Sequence, residues 1–180
     1  MLIQESLGLN TLTGLVPLVK KIILGTAIVE GAGAVLYATQ FIPEFGVGYG
    51  IWAAVFNSIS AFCNAGMDIV KEDSFRSYVT NPVINFTTMA LIVLGGLGFI
   101  VWKDLWQSMK KLIKEKIPVK RIVQQLKFQT KIVLSISTFL ILFGTVLIFL
   151  FEYHNPATMG NLSLPGKVMA SLFQAVTTRT

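Results

Sequence analysis

The chain has 180 residues, of which 53% are hydrophobic and only 13% charged, about half the charged share of an ordinary globular domain, and its mean hydropathy is +0.68. That balance excludes a water-soluble domain and places the chain in a membrane. The net charge of +6 is no nucleic-acid footprint, because nine of the fifteen Lys and Arg (Lys103, Lys110, Lys111, Lys114, Lys116, Lys120, Arg121, Lys127 and Lys131) fall in one segment between apolar stretches. The single cysteine leaves no intrachain disulfide.

Residues 1–19 are mildly amphipathic and broken by Gly8, Gly14 and Pro17. They read as a lead-in lying on the membrane surface, with no basic region ahead of an apolar core and hence no cleaved signal peptide. Residues 22–42 form the first spanning candidate, long enough for a hydrocarbon core about 30 Å thick. Lys20 and Lys21 mark its start as cytoplasmic. Inside it lies Glu30, beside Gly31, Ala32, Gly33 and Ala34. An intramembrane carboxylate is costly and faces protein or water. Two readings of Glu30 follow: it attracts cations near a pathway, or it is held neutral or hydrogen-bonded against a neighbouring helix.

Residues 41–50 read as a turn-rich connection outside the membrane. From about Gly50, Trp52, Val55, Phe56, Ile59 and Phe62 recur at helical spacing and then meet Asn64-Ala65-Gly66, a poor helix sequence. The segment is too short and polar to cross a bilayer. It reads as a half-helix that enters the membrane, stops and returns as extended backbone, which is tolerated at that depth only in protein or lining a wet cavity. A helix aiming its carbonyl end inward, followed by carbonyls freed at a glycine-permitted turn, suits a bare cation.

Residues 69–80 carry charges that belong in water. Asn81-Pro82 is a helix start, and a second span runs over residues 83–102, with Trp102 and Trp106 as interfacial anchors. Between Gln107 and Thr130 basic residues interleave with Leu112, Ile113, Ile117, Val119, Ile122, Val123 and Leu126. Such a segment lies against anionic headgroups or docks a soluble regulator. A third span covers residues 132–151, and residues 152–166 have loop composition. The order span, outer loop, pore segment, span, basic inner loop, span, outer loop, pore segment is one and a half copies of a unit. Lys21-Ile22-Ile23-Leu24 answers Lys131-Ile132-Val133-Leu134, and Phe56-Asn57-Ser58-Ile59-Ser60 answers Phe173-Gln174-Ala175-Val176-Thr177. Successive units run parallel around a central path. The fold class is therefore an all-α membrane protein with three transmembrane helices and two re-entrant pore segments. Its regions are 1–106 (lead-in and a complete unit), 107–130 (basic linker) and 131–180 (first helix and pore helix of the next unit).

Ser60-Ala61-Phe62-Cys63-Asn64-Ala65-Gly66-Met67-Asp68 resembles the second pore-loop signature of the Trk/Ktr/HKT superfamily of potassium transporters, and Ser171 to Thr180 resembles the opening of its third. The likeness covers nearly the whole chain and is nearest to the pore-forming subunit of Ktr or Trk type. It implies a polypeptide of four such units, of which this chain carries the second and part of the third, as a fragment or the product of a broken gene. It further implies potassium uptake across the plasma membrane through a filter of backbone carbonyls from Cys63, Asn64, Ala65 and Gly66, and from Thr178, Arg179 and Thr180. Potassium is then substrate, no cofactor is needed, and the metal is held by filter carbonyls alone. Arg179 is expected to brace the filter through carbonyl hydrogen bonds, since a bare cation would be repelled by it. Cys63 and Met67 depart from the commoner Asn and Phe. Expected partners are the bilayer, a second copy of the full-length protein and a cytosolic nucleotide-binding regulatory subunit, with no nucleic acid. Residues 103–131 are expected in the cytoplasm, and 43–80 and 152–170 on the outer side. Two rivals stay open: a sodium-permeable member of the same superfamily and a non-transporting scaffold. An enzyme lacks material, with one His, one Cys and no clustered carboxylates.

Overall fold

The computed structural model describes residues 15–70, 74–115 and 124–179. Among these the regular elements are all helical, in the order α1 (Leu15–Phe45), α2 (Val47–Phe62), a 3-10 turn (Ser74–Tyr78), α3 (Pro82–Gly96), α4 (Phe99–Glu115), α5 (Phe128–Glu152) and α6 (Leu164–Thr178). Residues 1–14, and with them most of the expected lead-in, lie outside the described residues, as do 71–73, 116–123 and Thr180.

Helices α1 and α5 are long and apolar enough to cross a bilayer, and α3 with α4 forms a bent pair that supplies a third candidate. Their outward faces are what such a solvent requires: Ile23 and Leu24 on α1 are each 63% exposed and Phe151 on α5 is 78% exposed, surfaces that water would penalise and lipid accepts. Lipid is as apolar as Leu, so packing and internal polar bonds must hold the helices together.

Those bonds are present between α1, α2 and α3. Tyr37 and Phe41 on α1 are fully buried, stacked with ring centroids 5.5 Å apart. The Tyr37 hydroxyl meets Thr88 Oγ1 at 2.6 Å while Thr88 donates back to the Ile84 carbonyl at 2.7 Å, so the Tyr37 hydroxyl is the donor of the pair. Ser58 on α2 donates to the Glu30 carbonyl at 2.6 Å, and Asn81 Nδ2 donates to Gln40 Oε1 at 2.9 Å. Each such tie between membrane helices contributes about 0.6 kcal/mol. Asn81 also caps α3, accepting from the Val83 and Ile84 amides, with Pro82 in the first turn, as the Asn-Pro pair predicts.

Four elements differ from the sequence expectation. Residues 15–19 belong to α1 rather than to a surface lead-in. The connection expected over 41–50 shrinks to one residue: α1 runs to Phe45, Gly46 (φ 80°) reverses the chain and α2 starts at Val47. The cause is tertiary, since Gly50 lies against the Ile42 main chain so closely that a β-carbon would stand 2.8 Å from Ile42 Cα. The second span, expected unbroken over 83–102, stops at Gly96; the chain turns through Leu97 and Gly98 (φ 81°) and continues as α4, bent by 106°. Trp102 is consequently turned inward, its indole donating to the Leu94 carbonyl at 2.8 Å, and only Trp106 faces out, 61% exposed. The boundary drawn between 106 and 107 falls inside α4.

Candidate functional site

Helix α2 ends as its sequence dictates. The Cys63 amide still reaches the Ile59 carbonyl at 2.9 Å, but Asn64 takes a left-handed conformation (φ 53°) and Gly66 another (φ 69°), and the Ala65 amide closes back on the Ser60 carbonyl at 2.9 Å. Left-handed backbone is cheap for glycine and tolerable for asparagine. From Ala65 to Ile69 the chain is neither helix nor strand. Its course is set by Ser60, whose hydroxyl donates to the Met67 carbonyl at 2.5 Å and accepts from the Met67 amide at 3.0 Å. Asp68 accepts from the Val70 amide at 3.3 Å and from the Ser74 hydroxyl, and the Tyr49 hydroxyl donates to the Ile69 carbonyl. The returning segment is thus tied at three points, while Cys63, Asn64, Ala65 and Gly66 remain exposed.

Asn64 and Gly66 of that stretch open onto a cavity of about 850 Å³. One wall is α2 and its return, through Asn57, Ser60, Asn64, Gly66 and Asp68; another is α3, through Asn85, Thr88 and Ile92; the opposite wall is α6, through Phe173, Gln174 and Thr177. Asn57 and Ser60 correspond in the internal repeat to Gln174 and Thr177, and all four line this one space. Arg76 and Glu152 also line it. The C-terminal end of α2 carries the partial negative charge of its dipole and freed carbonyls to the cavity. Polar oxygen beside a negative helix end suits a cation.

The other expected site residues fall as follows. Thr178 is exposed at the end of α6, its hydroxyl bonded to the Gln174 carbonyl at 2.9 Å. Arg179 caps α6, and its Nη2 donates to the Ser137 hydroxyl on α5 at 2.5 Å. Thr180 lies outside the described residues. Glu30 does not line the cavity; its carbonyl serves the α1–α2 contact. Cys63 is a free, exposed thiol. Sequence reasoning missed Ser60 as the anchor of the return, Ser137 as the partner of Arg179, and Glu152 in the cavity lining. The first was findable, since a serine one turn before a helix break is placed to bond the chain coming back; the others require knowing how α5 and α6 meet.

The TrkH family, described as a cation transport protein, matches residues 4–180. The Ktr system potassium uptake protein B of Vibrio alginolyticus is 39% identical over 179 residues, 99% of this chain and 37% of that protein. The protein of the same name in Bacillus subtilis is 34% identical over 180 residues, 100% of this chain and 38% of its own length. The potassium/sodium uptake protein NtpJ of Enterococcus hirae is 33% identical over 178 residues, 99% of this chain and 36% of its own. The chain therefore spans well under half the length of these curated relatives.

Proposed function

Because the chain belongs to the TrkH family of cation transport proteins, we propose that it contributes two of the walls of a potassium-conducting pore in the plasma membrane. The main-chain carbonyls of Cys63, Asn64, Ala65 and Gly66 supply one part of the filter and those of Thr178, Arg179 and Thr180 another. A potassium ion sheds its water on entry, and backbone oxygens replace that hydration without fixing the ion so tightly that it cannot leave. The observation that carries this reading is the left-handed turn at Asn64 and Gly66, which brings these two residues onto the same cavity as Gln174 and Thr177 of α6.

By this reading the basic segment 103–131 faces the cytoplasm, and 43–80 and 152–170 face outside. The full-length protein is a homodimer that works with a cytosolic nucleotide-binding subunit, and needs no cofactor. The relatives named as Ktr system proteins support a multi-component assembly. A second reading, sodium permeation alongside potassium, is favoured by the relative named as a potassium/sodium uptake protein.

The test is Gly66→Ser in the full-length protein, assayed for potassium and sodium uptake in cells lacking their own potassium uptake. Nothing lies within 4 Å of a β-carbon at Gly66, so the substitution acts through backbone strain, about 1–2 kcal/mol. Loss of potassium-over-sodium preference is expected. A variant that keeps full preference removes Gly66 from the filter.

A further inference from the structure

Helix α4 divides its circumference into three stripes. Val101 and Asp104 are buried against the rest of the chain, 2% and 7% exposed, and Asp104 Oδ2 accepts the Lys127 amide at 2.9 Å at the start of α5. A second stripe, at helical spacing from Phe99 through Trp106 and Met109 to Leu112, is apolar and open: Trp106 is 61% and Met109 54% exposed. The third carries Lys103, Lys110 and Lys111, all exposed, with no acidic residue among them. The apolar and basic stripes are adjacent, joined where Lys110 Nζ stands 5.4 Å from the centre of the Trp106 ring.

Orientation decides what covers these stripes. Helix α4 is bent by 106° from α3, so where α3 stands along the bilayer normal α4 runs nearly along its surface. A helix in that plane, held by one stripe to its own protein, presents aromatic and aliphatic side chains to the acyl boundary and lysines to the headgroups. A soluble partner seated on the lysines would leave the Trp106–Met109 stripe uncovered, whereas a bilayer covers both at once.

We propose that α4 is a binding surface for anionic phospholipid, with Lys103, Lys110 and Lys111 holding phosphate headgroups and Trp106 and Met109 entering the acyl region. Clustered lysines beside a membrane-crossing helix attract anionic lipid electrostatically, and the Trp106–Lys110 contact fixes the depth at which headgroup and acyl chain change over. The proposal requires membrane insertion but not ion conduction, so it stands or falls separately from the pore.

Two measurements on the full chain test it. In Cys63→Ser/Met109→Cys carrying a nitroxide, reconstituted in vesicles of phosphatidylcholine with phosphatidylglycerol, the label is expected to be reached by oxygen and shielded from a water-soluble nickel chelate. Native mass spectrometry of the chain with its native lysines, released from the same vesicles, is expected to show phosphatidylglycerol retained several-fold over phosphatidylcholine. Lys103→Gln/Lys110→Gln/Lys111→Gln should abolish that preference, and the corresponding Lys→Arg set should keep it. A nitroxide open to nickel in vesicles, including one shielded only when a cytosolic protein is added, overturns the proposal. So does equal retention of the two lipids by the native chain, which is readable even if the glutamine variant does not insert.

Discussion

Gly95 of α3 lies against the main chain of Phe62, the last residue of α2: a β-carbon at Gly95 would overlap the Phe62 carbonyl oxygen and stand 2.9 Å from its carbonyl carbon. The Phe62 ring meets Trp102 edge-on, 6.1 Å between centroids. The turn from α3 to α4 is therefore packed onto the residue immediately before Cys63. Gly95→Ala should cost about 1–3 kcal/mol through overpacking against rigid backbone, which outweighs the gain of at most about 1 kcal/mol from better helix propensity. Thermal unfolding in detergent should show a lower midpoint for Gly95→Ala and none for Gly25→Ala, whose β-carbon meets nothing within 4 Å. Equal midpoints would remove the contact from the account.

Ser60 makes both hydrogen bonds that fix Met67. Ser60→Ala removes both of these bonds, a net loss of about 0.5–1.5 kcal/mol each, since Met67 is open to solvent. The expected result in the full-length protein is weaker half-saturation for potassium uptake with normal amounts of protein in the membrane. Uptake indistinguishable from the parent would show that the return holds its shape without the serine.

Arg179 and Ser137 join α6 to α5 through a charge-assisted hydrogen bond. A double-mutant cycle of Arg179→Lys and Ser137→Ala, read by thermal unfolding, should give a coupling of about 0.5–3 kcal/mol. Additive effects would mean that the two side chains act independently.

Tyr78 donates to Glu44 at 2.5 Å. Burial, then that bond and the Glu44 charge, raise its phenol above the ordinary value of 10.0. The folded value exceeds the unfolded one, so the phenol is neutral in both states at lower pH and its contribution is fully present there. As pH climbs past about 10 the unfolded chain ionises first, and stability falls. Unfolding midpoints measured across that alkaline range should drop for the parent and drop less for Tyr78→Phe. Parallel curves would dismiss the linkage.

Much of this arrangement is legible in single stretches of sequence. Asn81-Pro82 starts a helix wherever it stands, because the asparagine oxygen meets free amides and the proline has none to lose. Asn64 and Gly66 end α2 for the same local reason. The correspondence of Asn57 and Ser60 with Gln174 and Thr177 is visible as repetition. Gly46, Gly48 and Gly50, by contrast, have the composition of a loop yet belong to a hairpin of two helices, because the fit of Gly50 on Ile42 outweighs their weak helix propensity. The run Leu94-Gly95-Gly96-Leu97-Gly98 carries no sign of whether the helix bends there or passes through.

The sequence by itself determined that the chain lives in a bilayer, that it repeats, and that a short helix breaks at Asn64 and Gly66, since each follows from hydropathy or from the backbone preferences of a few neighbouring residues. Only the tertiary structure decided that the end of α2 and one face of α6 open onto one cavity, that Glu30 stands apart from it, and that α3 turns sharply beneath Phe62. Those outcomes depend on which helix faces meet at distances set by single β-carbons, and residues far apart in the chain carry no local record of that meeting.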